Sequence, residues 1–444
     1  MKNTLFSYIT KEGKKLFSGG LIFFFSATIV NLGNYLFNLV LGRWLGPASF
    51  SDLSIIITLF LIVIFFAATL QTITARFSAI YTSNNDLEKI ARLRKTMLNW
   101  AWGVGVFLLL IFSLGASIWQ NFFHTQSSLP FIIFGMGLPF YLAQGVNRGV
   151  LQGQTRFKAL SISYQAEMWT RLITGVGFAW LGWGTIGAVL GLALSFVATW
   201  LASERAKNGL PSVQAIPFRD QKSIFSYSGG VSLTYLSQII ITNSDIIIAK
   251  HFFPAEVAGQ YAALALIGRV IYFATWAITT TMFPIIAQRH QNGKSHIQLL
   301  RLGLGLVFSL SIGTFLLTWT IPEEIVNALF GSAYVKIAPL LWRYVIAAAL
   351  YSLANVFISY QLALGIKAGG IIALLGGLAQ IAVLWNWHAS LQEIVDAQII
   401  IMASLLSLLF IKSMEKNLKT YMKGFKSLLH GNTLLNLLED KKEY

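Results

Sequence analysis

The 444-residue sequence has no cysteine, which excludes a disulfide framework and a thiolate metal site. It has little charge: Asp, Glu, Lys and Arg make up 11% of the chain, where an ordinary soluble protein carries about a quarter. That deficit argues against a soluble enzyme. The six histidines are scattered without ligand spacing, so no metal site is expected. Acids are fewer than bases, 17 against 33, for a net charge of +16. Asn292-Gly293-Lys294-Ser295 imitates a phosphate loop, but residue 288 is Gln where G-x-x-x-x-G-K-[ST] requires Gly. No built-in ATPase is expected. No segment is large enough for a soluble catalytic domain, so no catalytic residue is assigned and the protein is expected not to be an enzyme.

What the sequence does have is apolar length. Hydrophobic residues make up 55% of it and mean hydropathy is +0.65. Disorder, a coiled coil and a collagen-like chain do not fit these figures. Twelve helices of about 20 residues would use roughly 240 positions, close to the apolar total. The predicted spans are about 17–41, 53–75, 97–118, 130–147, 159–181, 184–203, 225–250, 260–287, 302–321, 338–362, 369–387 and 394–411. The first follows Lys2, Lys11, Lys14 and Lys15 and imitates a signal peptide. Its apolar stretch is too long for a signal core, so it is expected to be a retained helix.

Lys/Arg asymmetry sets the orientation. With the N-terminus inside, the inner segments hold 27 of the 33 basic residues and the outer loops hold Arg43, Lys250 and Lys336. Both termini are therefore expected in the cytoplasm, with the chain multi-pass in the cell inner (plasma) membrane. Most of the net charge then faces anionic lipid, and no nucleic-acid partner is expected. Trp44, Trp119, Trp183 and Trp387 fall near outer boundaries, as in an aromatic belt. In the tail, Leu418, Tyr421, Met422, Phe425, Leu428 and Leu429 form a helical stripe with lysines off it, which predicts a helix lying on the inner leaflet.

The polar segment 204–224, with Pro211 and Pro217, divides the chain. The expected organisation is an N-terminal bundle (1–203), a cytoplasmic linker (204–224), a C-terminal bundle (225–413) and an amphipathic tail (414–444). At an offset of 207, Arg43 meets Lys250, Pro47 meets Pro254 and Asn38 meets Asp245. Six spans is an even number, so both halves enter the membrane the same way round. The fold class expected is an all-α polytopic membrane protein of about twelve transmembrane helices. They form two six-helix bundles related by a pseudo-two-fold along the membrane normal, an arrangement that suits transport.

Leu45-Gly46-Pro47-Ala48-Ser49-Phe50 after the first span resembles the turn of the polysaccharide exporters and O-antigen flippases. These belong to the multidrug/oligosaccharidyl-lipid/polysaccharide exporter superfamily. Asn147-Arg148-Gly149-Val150-Leu151-Gln152-Gly153-Gln154-Thr155-Arg156-Phe157 resembles their fourth-to-fifth helix turn. Ile267-Gly268-Arg269 with Met282-Phe283-Pro284 resembles their eighth helix, and Pro322 through Leu340 the approach to their tenth. Two positions depart from the pattern: the Gly often found four residues after each turn proline is Ser51 and Ala258 here, although Gly259 follows. Twelve spans, not fourteen, favour the polysaccharide branch over the lipid II flippases. The resemblance implies two bundles in a V around a cavity that opens alternately inward and outward. It also implies a polyprenyl-pyrophosphate-linked oligosaccharide whose lipid tail stays in the bilayer. Expected partners are this lipid-linked glycan, membrane lipid, and the polysaccharide polymerase and glycosyltransferases of the same pathway. A cation-coupled multidrug exporter of the same superfamily is the alternative.

An anionic, sugar-bearing head needs intramembrane cations and polar walls, and buried charges in a membrane generally face a cavity or a partner. Candidate substrate-binding residues are Arg171 and Arg269 near mid-span, Arg148 at the inner mouth, and the stripe Asn31, Asn34 and Asn38 on the first span. Each has a structural alternative. Glu167 lies four residues before Arg171 and would pair with it. Asp245 is a partner for Arg269 on another helix. Positive-inside orientation accounts for Arg148 and Arg156, and interhelical hydrogen bonds account for the asparagines. Asp245, taken as the intramembrane carboxylate of the second bundle, is the candidate ion-coupling residue. H+ or Na+ is the coupling ion considered, with no other cofactor. Arg343 is read as snorkelling outward. Asn355, Tyr360 and Gln380 are weaker polar-wall candidates.

Overall fold

A computed structural model describes residues 11–215, 228–291, 294–366 and 368–430. Among these residues every regular element is a helix. The N-terminal half comprises α1 (Lys11–Ser83), α2 (Leu87–Leu114), α3 (Ala116–Phe123), α4 (Leu129–Gly153), α5 (Phe157–Phe178) and α6 (Gly184–Ser203). The C-terminal half comprises α7 (Ser228–Phe252), α8 (Ala255–Gln291), α9 (Ile297–Thr320), α10 (Pro322–Phe330), α11 (Leu341–Ala363), α12 (Ala368–Asn386) and α13 (Leu391–His430).

Helix α1 is two limbs joined at a bend. Gly46 has φ 72° and ψ 170°, a conformation that L side chains rarely adopt. Pro47 next to it has no N–H to continue the ladder. The limbs carry the first two predicted spans. A short π-helical segment, Ala179–Trp183, likewise divides the fifth span from the sixth. Nine stretches among the described residues are long and apolar enough to cross a membrane. Two of them, Phe25–Ser83 and Phe157–Lys207, hold two predicted spans each; the seventh predicted span, on α7, is not among the nine. At the opposite end of the molecule, Asp86 caps α2 by accepting from the Lys89 amide at 2.9 Å. The hydrogen bonds from Lys89 hold the Asp86 carboxyl below the usual carboxylate range.

The two halves repeat one plan. α4 packs on α2, α6 and the second limb of α1, as α11 packs on α9, α13 and α8. α5 packs on α1 as α12 packs on α7. Short helices α3 and α10 occupy equivalent places, each between the third and fourth spans of its half. α4 lies against α1 along Gly145, Gly149 and Gly153, where a Cβ would crowd the carbonyls of Ala67, Gln71 and Ala75. Small residues at every fourth position let two membrane helices approach closely.

The halves meet at the end that the charge count assigns to the outside. Lys250 on α7 donates to Asp52 Oδ1 at 2.6 Å and Ser51 Oγ at 2.8 Å on α1. Tyr334 OH donates to the Gly42 carbonyl at 2.6 Å, and Arg43 to the Ala328 carbonyl at 2.9 Å. His251 Nδ1 lies 2.6 Å from the Phe122 carbonyl and its ring stacks on Phe122. Lys250 is counted among the outer-loop charges and Asp52 precedes the second predicted span, yet they are 2% and 5% exposed. Both are buried in the contact between the halves, where each neutralises the other. At the tail, the backbone runs as one helix from Leu391 through His430, continuous with the last span. The expected stripe at 418–429 falls on side chains outside those described, and residues 216–224 of the linker, with Pro217, lie outside the described residues.

Candidate central cavity

A cavity of about 660 Å³ lies below the joined end, between the halves. Its walls come from both limbs of α1, from α4 and α5, and from α7 and α8. All six residues singled out as substrate-binding line it: Asn31, Asn34, Asn38, Arg148, Arg171 and Arg269. Glu167 lines it too.

The N-terminal wall carries one connected network. Arg171 Nη2 donates to Glu167 Oε1 at 2.6 Å, and Arg171 Nη1 to Asn34 Oδ1 at 3.1 Å. Arg148 Nη2 donates to the other carboxylate oxygen, Glu167 Oε2, at 2.8 Å. One carboxylate therefore serves two guanidinium groups. Arg148 has further partners in Ser163 Oγ, the Ser163 carbonyl and Thr199 Oγ1 at 2.8–3.0 Å, and its guanidinium carbon lies 3.6 Å from the Tyr164 ring centre. It is 2% exposed. Arg148, expected at the inner mouth, is thus buried in the cavity wall. It is a buried cation whose Nε and Nη2 are held by Ser163, Glu167 and Thr199 of α5 and α6. Arg171 differs: its Nε is buried without a hydrogen-bond partner. In the asparagine stripe, Asn38 donates to the Asn34 carbonyl at 2.8 Å, Asn34 supports Arg171, and Asn31 faces open space.

Arg269 on α8 faces both the main cavity and a smaller one of about 40 Å³. It donates to the Thr242 carbonyl and lies 3.9 Å from Asp245 Oδ1, beyond hydrogen-bond distance. Its Nε, like that of Arg171, is buried and unpartnered. Asp245 accepts at Oδ2 from Tyr344 OH at 2.9 Å and Tyr261 OH at 3.1 Å, while its Oδ1 has no hydrogen-bond donor. Gln380 Oε1 and Tyr351 OH are unpartnered there as well. At their formal charges, the three arginines of the central cavity stand against two carboxylates, Glu167 and Asp245, leaving one positive charge in excess.

The other polar candidates are engaged elsewhere. Asn355 accepts from Gln238 at 2.8 Å and Tyr360 lies 2.8 Å from His296. Arg156 binds the Arg205 carbonyl outside the cavity. Arg343 pairs with Asp396 at 2.9 Å. Asp396 lies inside the predicted span 394–411, so Asp245 is not the second bundle's sole intramembrane carboxylate. The sequence also gave no reason to single out Tyr261, Tyr344 and Gln398, which surround Asp245 from three helices. A hydroxyl facing a carboxylate across helices leaves no spacing signature.

Residues 16–290 match the family described as "Polysaccharide biosynthesis protein". No curated protein matches the sequence. The fold is similar to that of a multidrug resistance MATE family transporter of the MOP superfamily in an inward-facing conformation, with a TM-score of 0.71 at 14% identity, covering 85% of this chain and 94% of that one. It is similar to the lipid II flippase MurJ in an inward closed conformation, with a TM-score of 0.71 at 14% identity, covering 89% and 87%. A MOP superfamily transporter from Pyrococcus furiosus gives a TM-score of 0.61 at 16% identity, covering 90% and 94%.

Proposed function

The chain belongs to the polysaccharide biosynthesis protein family, and on that premise we propose that it is a lipid-linked oligosaccharide flippase. The substrate class is an oligosaccharide on a polyprenyl pyrophosphate, moved from the inner to the outer leaflet of the cytoplasmic membrane for cell-surface polysaccharide biosynthesis. The observation that carries this is the cavity of about 660 Å³ bearing Arg171 and Arg269 and an amide-lined wall. Guanidinium groups suit phosphate oxygens because their planar fork donates parallel hydrogen bonds. Asparagine amides suit sugar hydroxyls. In a low-dielectric site, one excess positive charge favours an anion.

Alternating access would follow from the joined end. Breaking the Lys250–Asp52 and Tyr334–Gly42 contacts lets the halves part there while they close on the other side. The lipid tail stays in the bilayer. Asp245 is the proposed coupling residue for H+ or Na+, supported by the unpartnered acceptors around the small cavity. The polymerase and glycosyltransferases of the pathway are the proposed partners.

The second function considered is export of lipophilic cations. The charge balance disfavours it, since a cation would enter a cavity with more arginines than carboxylates.

Reconstitution tests the proposal. Purified protein in sealed liposomes with a labelled polyprenyl-pyrophosphate oligosaccharide should expose the label to an enzyme confined to the far side. Efflux of a cationic dye without glycan exposure would move the protein to the drug-exporter branch.

A further inference from the structure

Glu167 poses a problem for any ligand that uses Arg171. The two are joined at 2.6 Å, and both are largely buried, at 9% and 6% exposed. Withdrawing Arg171 toward a phosphate would ordinarily strand a buried carboxylate, and an unpaired buried charge is strongly destabilising. The structure contains a remedy. Arg148 already holds the second oxygen of the same carboxylate at 2.8 Å. Arg148 is itself fixed by Ser163 and Thr199 and cannot follow. Arg171 has looser ties: one bond to Asn34, a Phe60 ring 5.1 Å away, and a buried Nε without a partner.

We infer that Arg148, Glu167 and Arg171 form a charge-exchange relay. Substrate phosphate replaces Glu167 on Arg171, and Arg148 retains Glu167 so that no charge is left unpaired. This rests on the anionic-head reading of the cavity and assigns its three charges distinct roles. Arg171 is the binding residue. Glu167 is the competitor that sets affinity and releases the head group when it returns. Arg148 is a positioning residue that touches no substrate. A competing carboxylate suits a transporter, because a head group held too tightly would not leave.

Full-length protein in lipid nanodiscs, with inorganic pyrophosphate as the probe, tests the relay. Arg171→Ala should lose binding. Glu167→Gln should bind more tightly than wild type, because the competitor loses its charge. Arg148→Gln should bind about tenfold more weakly or worse, because Glu167 then has Arg171 as its only cation. Its distinguishing outcome is rescue: Arg148→Gln with Glu167→Gln should recover wild-type affinity or better, which lost packing alone would not do. Unchanged affinity in Arg148→Gln, or no recovery in a folded double variant, overturns the relay while leaving the anion cavity intact. Absence of pyrophosphate binding in both wild type and Glu167→Gln removes the anion cavity itself, and the relay with it.

Discussion

At the scale of single residues, the cavity charges divide by how well their hydrogen bonds are filled. Arg148 engages its Nε and Nη2 with Ser163, Glu167 and Thr199, whereas Arg171 and Arg269 each keep a buried Nε without an acceptor. The sequence placed all three in or beside the membrane but could not rank them, because saturation depends on hydroxyls from other helices. The i, i+4 pair Glu167–Arg171 and the approach of Arg269 to Asp245 were legible beforehand, but the sharing of Glu167 with Arg148 was not. Two predictions belong at this scale. Arg269→Ala should lower glycan transport by about tenfold or more, about 1.4 kcal/mol or more on the barrier, with normal protein levels in the membrane. A fall in protein level alone would make Arg269 a structural residue. Asp245→Asn retains an acceptor for Tyr261 and Tyr344 and so should fold. It should remove the dependence of transport on an H+ or Na+ gradient, and a variant that still responds when the gradient is collapsed would eliminate Asp245 as the coupling site.

At the scale of elements, helices were readable because apolar length is a local property. The bend at Gly46-Pro47 was readable as a turn, since the two residue types favour a break wherever they occur together. The packing on that bend was not. Gly259 on α8 faces Pro47 from the other half so closely that a Cβ would overlap the Pro47 carbonyl oxygen. The departure noted in the sequence, Ala258 followed by Gly259, is thus a glycine set where α8 meets α1. Gly259→Ala should force the halves apart at this end, at an overpacking cost of about 1–3 kcal/mol. The absence of native cysteine makes the measurement clean. A single cysteine in place of Phe50, which is 1% exposed, should react with a water-soluble maleimide faster in the Gly259→Ala background. An unchanged rate would mean that the contact adapts without opening.

At the scale of the whole molecule, the decisive interaction is Lys250 with Asp52, because it crosses between halves and is buried. Removing one partner of a buried pair typically costs about 3–5 kcal/mol. Asp52→Asn should therefore destabilise the joined state, increase labelling of the same Phe50→Cys reporter and slow transport. Asp52→Leu with Lys250→Met should restore closure, since no charge is left unpaired. If the single and double variants label alike, the pair does not hold this end shut. The sequence-based topology set Lys250 in an outer loop, and the offset repeat matched it to Arg43. Neither relation reveals that residues 198 positions apart face each other.

The sequence by itself determined that the chain is a helical membrane protein of two halves, with its Lys and Arg concentrated in alternate connecting segments. These properties follow from local composition, the requirement that a backbone in lipid satisfy its own hydrogen bonds, and parity. It also supplied six of the residues that line the central cavity, Asn31, Asn34, Asn38, Arg148, Arg171 and Arg269. Tertiary structure alone decided which of those charges are spent, which end is joined, and that one carboxylate is shared by two arginines. Each depends on contacts between distant helices, and such contacts are set by close packing of whole surfaces, which no local pattern records.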